Sequence, residues 1–108
     1  MVTYQSEAQA AADGFRIEHQ AAAQRFALLR GAEQLGEAHY SLTDRGGEPT
    51  INFDHTYVAP KLRGSGLAAL LAEHALADDI VLGRRITASC WYIREHLERH
   101  PRLREQQG

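Results

Sequence analysis

Residues 51–71 constrain the fold most strongly, and their sequence is INFDHTYVAPKLRGSGLAALL. An alternating stretch that ends at Pro60 is followed by a basic, glycine-rich turn at residues 61–66 and then by an apolar stretch with helical periodicity. A strand that leads through such a turn into a helix presents several backbone N–H groups and the positive end of the helix dipole. The order of these three pieces therefore predicts a binding site for a phosphate group.

The composition predicts one folded domain over residues 1–108. Hydrophobic residues make up 44% of the chain, which is enough for one core and too much for a disordered protein. The 12 basic residues are outnumbered by 14 acidic ones, and this balance argues against a protein that coats nucleic acid. Because the basic residues gather at residues 61–63 and 94–104, a small anionic ligand is expected rather than a polyanion.

The chain contains one cysteine, Cys90, so neither an intramolecular disulfide nor a cysteine zinc site is expected. His96 and His100 have a spacing that metals use, but a third ligand is missing and no metal is expected. The N-terminal residues lack the pattern of a signal peptide, and no apolar run is long enough to cross a bilayer. These features predict a cytoplasmic protein without a membrane partner.

Alternating residues predict four strands, at residues 15–19, 25–30, 35–43 and 50–59. Residues 65–82 have helical periodicity and end at Gly83, after which residues 86–90 form a fifth strand and residues 91–99 a second helix. The helix between the fourth and fifth strands allows them to lie parallel through a right-handed crossover. The predicted fold class is α+β, with a mixed, mostly antiparallel sheet flanked by helices. For residues 1–14, both a short helix and a frayed extension are compatible with the sequence.

The fourth strand has a period of two that places His55 and Tyr57 on the same face as Ile51 and Phe53. Because Ile51 and Phe53 are apolar, this face is expected to be the buried one. His55 is then either a hydrogen-bonded core residue or part of a site.

The turn at residues 63–68 has the sequence RGSGLA. It is not a Walker P-loop, because the Gly-Lys-Ser/Thr ending is missing. It is not the dinucleotide fingerprint, because the third glycine and the alternation of parallel strands with helices are missing. The small residues allow a ligand to approach the backbone, but a tight strand-to-helix connection without a ligand accounts for the spacing equally well.

This turn resembles the acetyl-CoA signature R/Q-x-x-G-x-G/A of the GNAT superfamily of N-acetyltransferases. More narrowly, the chain resembles the small single-domain Yjdj-type group of that superfamily, over residues 15–101. Beside the turn, the matching residues are Arg25-Phe26, His55-Thr56-Tyr57-Val58, Pro60, Cys90-Trp91-Tyr92-Ile93 and His100-Pro101.

The resemblance implies a fold in which the fourth and fifth strands splay apart and acetyl-CoA lies in the gap. The backbone of Thr56, Tyr57 and Val58 is then expected to pair with the pantetheine arm, while Lys61 meets phosphate oxygens and Tyr92 lies in the pocket wall. The pyrophosphate is expected on the N–H groups of Arg63, Gly64, Ser65, Gly66, Leu67 and Ala68, with the Arg63 side chain adding charge.

Acetyl transfer from a thioester to an amine requires a group that takes the amine proton and a donor for the developing oxyanion. The resemblance places His55 and Cys90 at its two suspected reactive positions. His55 could be the base, and Cys90 could take the acetyl group covalently if a neighbour such as His55 favours its thiolate. Each also has a simpler interpretation, Cys90 as a small apolar residue that lines the pocket and His55 as a core residue.

The leading hypothesis is an acetyl-CoA-dependent N-acetyltransferase that acts on a small amine or on a protein lysine. The alternative is an acyl-CoA-binding or regulatory module with little or no catalysis, because the chain adds only one helix after Cys90 with which to build an acceptor site. A plain interaction domain that binds no CoA is a third reading. No motif indicates the acceptor or the oligomeric state.

Overall fold

A computed structural model describes residues 3–99. Its five-stranded sheet has the strand order β1-β2-β3-β4-β5. The elements in chain order are α1 (Glu7–Ala12), β1 (Phe15–Gln20), β2 (Arg25–Arg30), β3 (Glu33–Thr43), β4 (Thr50–Val58), α2 (Leu67–Ala77), β5 (Arg85–Ala88) and α3 (Trp91–Arg99). The first four strands pair antiparallel with their neighbours, and β5 pairs parallel with β4. The predicted α+β fold with a mixed, mostly antiparallel sheet is confirmed.

The helix α2 is shorter than predicted, because it ends at Ala77 and not near residue 82. Asp78 adopts an extended backbone, and its carboxylate accepts the N–H of Ile80 at 2.9 Å at the start of a 3₁₀ turn. An aspartate side chain can compete in this way for backbone donors, and the adjacent Asp79 adds negative charge at the negative end of the helix dipole. Gly83, with φ of 71°, lies beyond this turn and does not end the helix directly.

The prediction that His55 and Tyr57 share the buried face of Ile51 and Phe53 is wrong, because β4 contains a β-bulge. The pairing with β3 passes from His39↔His55 to Tyr40↔Phe53, so Asp54 faces no partner residue. An extra residue reverses the in–out alternation for the rest of a strand. Phe53 is therefore fully buried before the bulge, whereas His55 and Tyr57 after it are exposed.

One apolar core lies between the sheet and the helices. The leucines of α2 contribute to it together with the inward side chains of the strands, and α3 adds Ile93 and Leu97. Tyr40 is buried at the centre, and its hydroxyl lies 2.7 Å from Nε2 of His19. Burial and the nearby carboxylate of Asp78 raise the pKa of Tyr40 above its usual value.

The N-terminal residues, for which the sequence allowed either a helix or a frayed chain, form α1. The Ser6 hydroxyl caps this helix by accepting the N–H of Gln9 at 3.1 Å. Ala10 is 5% exposed and belongs to the core cluster. None of the helices within residues 3–99 is long and apolar enough to cross a membrane.

We expect Tyr40→Phe to lower the free energy of unfolding by about 1 kcal/mol at neutral pH, because His19 loses its hydroxyl partner. The raised pKa of Tyr40 means that the neutral phenol stabilises the fold below pH 10.0, and that this contribution is lost as the pH rises further. Urea unfolding of both proteins at neutral and alkaline pH measures the difference. The difference should shrink above pH 10.0; a constant difference would contradict the assignment.

Candidate functional site

The strands β4 and β5 separate at Phe53. Their pairing runs from Thr50↔Arg85 to Phe53↔Ala88 and stops there. The carbonyl of Phe53 accepts two N–H groups from the end of β5, from Ser89 at 3.0 Å and from Cys90 at 3.1 Å. β4 continues to Val58, while the segment that follows β5 turns into α3. The predicted splay of the fourth and fifth strands is thereby confirmed.

A groove of about 730 Å³ occupies the space between the end of β4 and the segment that follows β5. This volume lies within the range of ordinary small-molecule sites. The groove is lined by the end of β4, the following turn, the first turn of α2 and the start of α3, with the residues Thr56, Tyr57, Val58, Leu62, Arg63, Gly64, Gly66, Ala68, Ala69, Cys90 and Tyr92, and also by Thr3.

The end of β4 presents an unpaired backbone edge to this groove. The N–H of Ala59 donates to Leu35 on β3 at 2.7 Å, so alternate residues, including Tyr57, direct their backbone groups toward β3. The backbone groups of Thr56 and Val58 consequently point to the other side, where no strand within residues 3–99 pairs with them. Gly36 permits the close approach of β3, because a Cβ there would lie 2.7 Å from the carbonyl oxygen of Tyr57.

The turn and the first turn of α2 offer N–H donors to the same groove. Among the residues that the structure describes, the N–H groups of Gly64, Gly66, Ala68 and Ala69 donate to no backbone or side-chain acceptor. Gly64 and Gly66 have φ angles of 82° and 87°, which favour glycine. The first turn of α2 contains no acidic residue, and its N-cap, Gly66, makes no side-chain cap. The Ser65 hydroxyl accepts only the N–H of Leu67, at 3.4 Å. Free donors at a helix start without an acidic residue favour a negatively charged ligand.

Other predicted N–H donors to the phosphate are already bonded within the protein. The N–H groups of Arg63 and Ser65 are already bonded, to the carbonyls of Pro60 and Leu62. The Ser65 side chain is 2% exposed, and its hydroxyl donates to the carbonyl of Leu62 beneath the turn. The N–H of Leu67 is bonded to the Ser65 hydroxyl at 3.4 Å, and the Leu67 side chain belongs to the core.

The two basic side chains near the turn differ in position. Arg63 is exposed and lines the groove. Lys61 is not among the lining residues, and its ammonium lies 3.6 Å from the carboxylate of Glu33. Arg63 is therefore the better placed of the two to meet an anion in the groove.

The structure does not bring His55 and Cys90 together in the groove. Cys90 is a free, partly exposed thiol that lines it, next to Tyr92. His55 is exposed on the outer sheet face and is not a lining residue, because the bulge at Asp54 redirects it. The two candidates thus lie on different sides of the sheet at the point where β4 and β5 separate.

A second histidine lies on that outer face, and the sequence did not single it out. Nδ1 of His39 lies 3.1 Å from Oδ1 of Asp54, and His39 is the residue directly opposite His55. A carboxylate can only accept, so this hydrogen bond requires a proton on Nδ1 of His39. The succession of three polar residues, Asp54, His55 and Thr56, in an otherwise alternating strand was the available signal for this arrangement.

Thr56, which lines the groove, has a buried side-chain oxygen. Oγ1 of Thr56 is buried and, within residues 3–99, makes no hydrogen bond.

Just before the strands separate, Asn52 links β4 to the end of β5. Its side chain accepts the Thr87 hydroxyl at 2.8 Å and donates to the Ser89 hydroxyl at 3.1 Å.

No group of three histidine, cysteine or acidic side chains that could hold a metal occurs in the part of the chain that the structure describes. Of the histidine pair considered above, His100 lies outside the described residues.

The free edge of β4 and the start of α2 face one groove. Together they form a binding site that suits an extended ligand ending in an anion. The family model described as GCN5-related N-acetyl-transferase matches residues 25–106. The chain belongs to this family of GCN5-related N-acetyltransferases.

The relatives found include the protein NATD1 of several vertebrates. Protein NATD1 of Xenopus tropicalis is 30% identical over 89 residues, which cover 80% of this chain and 77% of the relative. Protein NATD1 of Homo sapiens is 30% identical over 89 residues, with 80% and 74% covered. Among solved structures, a mutant of the toxin AtaT bound to the C-terminus of the antitoxin AtaR and acetyl-CoA is 21% identical, with a TM-score of 0.39. The match covers 65% of this chain and 43% of that one.

We expect Thr56→Val to leave the free energy of unfolding unchanged or to raise it by up to about 1 kcal/mol, because a buried hydroxyl without a partner is removed. Thr50→Val on the same strand is the control, since the Thr50 hydroxyl donates to Glu48 and its loss should cost about 0.5 kcal/mol. Urea unfolding measures both. A loss of stability in Thr56→Val larger than in Thr50→Val would show that the Thr56 hydroxyl is satisfied.

Proposed function

We propose that this protein is an acetyl-CoA-dependent N-acetyltransferase that acts on an amine, either a small molecule or a protein lysine. One observation carries the proposal: the unpaired edge of β4 at Thr56 and Val58 leads directly to the free N–H groups of the turn and of α2. A ligand that fits both parts has an extended arm with amide groups followed by a phosphate anion, and the pantetheine diphosphate of CoA has this form. Membership of the acetyltransferase family supports the same ligand.

In this proposal, the backbone of Thr56 and Val58 pairs with the amides of the arm, as an added strand would. The N–H groups of Gly64 and Gly66, and of the first turn of α2, hold the diphosphate. Arg63 adds a positive charge at the mouth of the groove. The thioester then lies near Cys90 and Tyr92, at the end of the groove where β4 and β5 separate.

Bound acetyl-CoA supplies the activated acetyl group. By one route, the nitrogen of the amine attacks the thioester carbonyl, the carbon–sulfur bond breaks, CoA leaves as the thiolate, and the amine loses its proton to a base. By the other route, the Cys90 thiolate attacks the thioester carbonyl and the CoA thiolate leaves, so that Cys90 carries the acetyl group. The amine then attacks the Cys90 thioester, loses its proton to a base and releases the Cys90 thiolate.

The alternative function is that of an acyl-CoA-binding or regulatory module with little catalysis. The position of His55 outside the groove favours it, because no base lines the groove next to Cys90 among the residues described. Binding of CoA without acetyl transfer to any amine of a broad panel would support this alternative.

We expect CoA to bind the protein with a micromolar to millimolar Kd in isothermal titration, and the affinity to fall as salt is added. Arg63→Ala should weaken binding about threefold to tenfold, since it removes a charge from the groove. Lys61→Ala is the matched control and should change the Kd less than twofold, because Lys61 faces Glu33. Absence of CoA binding by the unmodified protein would refute the proposed function.

We expect Cys90→Ala to lower kcat at least tenfold while the CoA Kd stays within about twofold, if Cys90 carries the acetyl group. Intact-protein mass spectrometry after mixing with acetyl-CoA should then show one acetyl adduct that Cys90→Ala lacks. His55→Ala should lower kcat without removing the adduct, since a base acts on the amine. If kcat is unchanged in both variants, neither side chain is catalytic.

A further inference from the structure

We propose that residues 3–13, which we name the N-terminal strap, form part of the cofactor site by holding the turn in its ligand-binding conformation. This inference rests on the proposed function and extends it to a segment that the family model does not include, because that model begins at residue 25. Tyr4 contacts Ser65 and Gly66 of the turn, and Thr3 lines the groove beside them.

The strap contacts the turn through the backbone. The N–H of Tyr4 donates to the carbonyl of Ser65 at 2.7 Å. The carbonyl oxygen of Tyr4 lies so close to Gly66 that a Cβ there would be 2.5 Å away. Thr3 is itself one of the residues that line the groove. Both ends of the Ser65–Gly66 peptide therefore touch the strap. Because this peptide is trans, the Ser65 carbonyl that accepts from Tyr4 points away from the Gly66 N–H.

These contacts have an electrostatic consequence for an anion in the groove. A carbonyl oxygen that faced the groove would repel a phosphate, whereas the N–H of Tyr4 keeps the carbonyl of Ser65 turned away from it. The contact also fixes the orientation of the peptide that ends at Gly66, whose own N–H is one of the free donors. The strap thus leaves donors, and not acceptors, on the ligand side of the turn.

The strap is anchored to the rest of the fold through Tyr4 and Glu7. The Tyr4 ring packs edge-on against Phe15 on β1, at 5.5 Å between centroids. Within the strap, the Tyr4 hydroxyl donates to the carboxylate of Asp13 at 2.5 Å. Further along, Glu7 pairs with Nδ1 of His74 on α2 at 2.9 Å. These contacts keep Tyr4 in place before any ligand arrives, which lowers the entropy lost on binding.

The test compares two substitutions at Tyr4 in the full chain. Tyr4→Pro removes the ring and the N–H that donates to Ser65, whereas Tyr4→Ala removes the ring and keeps the N–H. We expect the CoA Kd of Tyr4→Pro to exceed that of Tyr4→Ala by about fivefold.

The second probe is acetylpantetheine, which has the arm and the thioester but no diphosphate. Its Kd should be the same in all of these proteins, because the strap acts on the turn and not on β4. Equal CoA affinity of Tyr4→Pro and Tyr4→Ala would overturn the inference. Parallel weakening of CoA and acetylpantetheine would overturn it as well, since it would indicate a general loss of structure. If the unmodified protein binds no CoA, the proposed function fails, and this outcome is distinct from both.

Amide hydrogen exchange on the unmodified protein tests the same inference without relying on a variant that folds. If the strap contact favours CoA binding, CoA must favour the strap contact by the same factor. We expect saturating CoA to slow exchange at the Tyr4 amide by about fivefold, as it does at the amides of the turn. Slower exchange in the turn with no change at Tyr4 would contradict the coupling.

Discussion

The carbonyl of Phe53 and the bulge that follows it are the constraint on which the site depends. That carbonyl accepts the N–H groups of both Ser89 and Cys90, and the parallel pairing of β4 with β5 ends there. The unpaired residue Asp54 then reverses the alternation of β4, and Thr56 and Val58 take over the inward positions that Phe53 held before. An unpaired strand edge inside a folded chain is unfavourable unless a ligand or water satisfies it. The groove is thus a place where the fold leaves hydrogen bonds for a ligand to complete.

The second part of the site depends on the same kind of unsatisfied backbone group. Every helix begins with several N–H groups that have no partner within the helix. In α2 the Ser65 hydroxyl accepts only the N–H of Leu67, and no carboxylate lies in the first turn to neutralise the dipole. Gly64 and Gly66 adopt the left-handed conformation that brings further N–H groups to the same side. The backbone edge and the helix start face one groove, and this shared orientation makes a diphosphate with an amide-containing arm the ligand that suits it best.

Much of the fold could be predicted from the sequence, because local periodicity reports on local structure. The second strand was placed at its observed bounds, and the turn before α2 was located through its glycines. The face of His55 was predicted wrongly, since a period of two holds only while each residue has a partner, and the bulge is set by the pairing of β4 with β3. The end of α2 was misplaced because, in the sequence, Asp78 looks like one more polar helical residue. Its side chain accepts the N–H of Ile80, and this competing hydrogen bond is visible only in the structure.

By itself, the sequence determined the order of the elements, the glycine turn at the start of α2 and the presence of a thiol at Cys90, because these follow from residue types close together in the chain. Only the tertiary structure decided which side chains share the groove. It placed Cys90 in the groove and His55 on the other side of the sheet, it paired Lys61 with Glu33 and left Arg63 in the groove, and it joined Tyr4 to Ser65. Such contacts between distant residues depend on strand register and on the docking of separate segments, which no local pattern encodes.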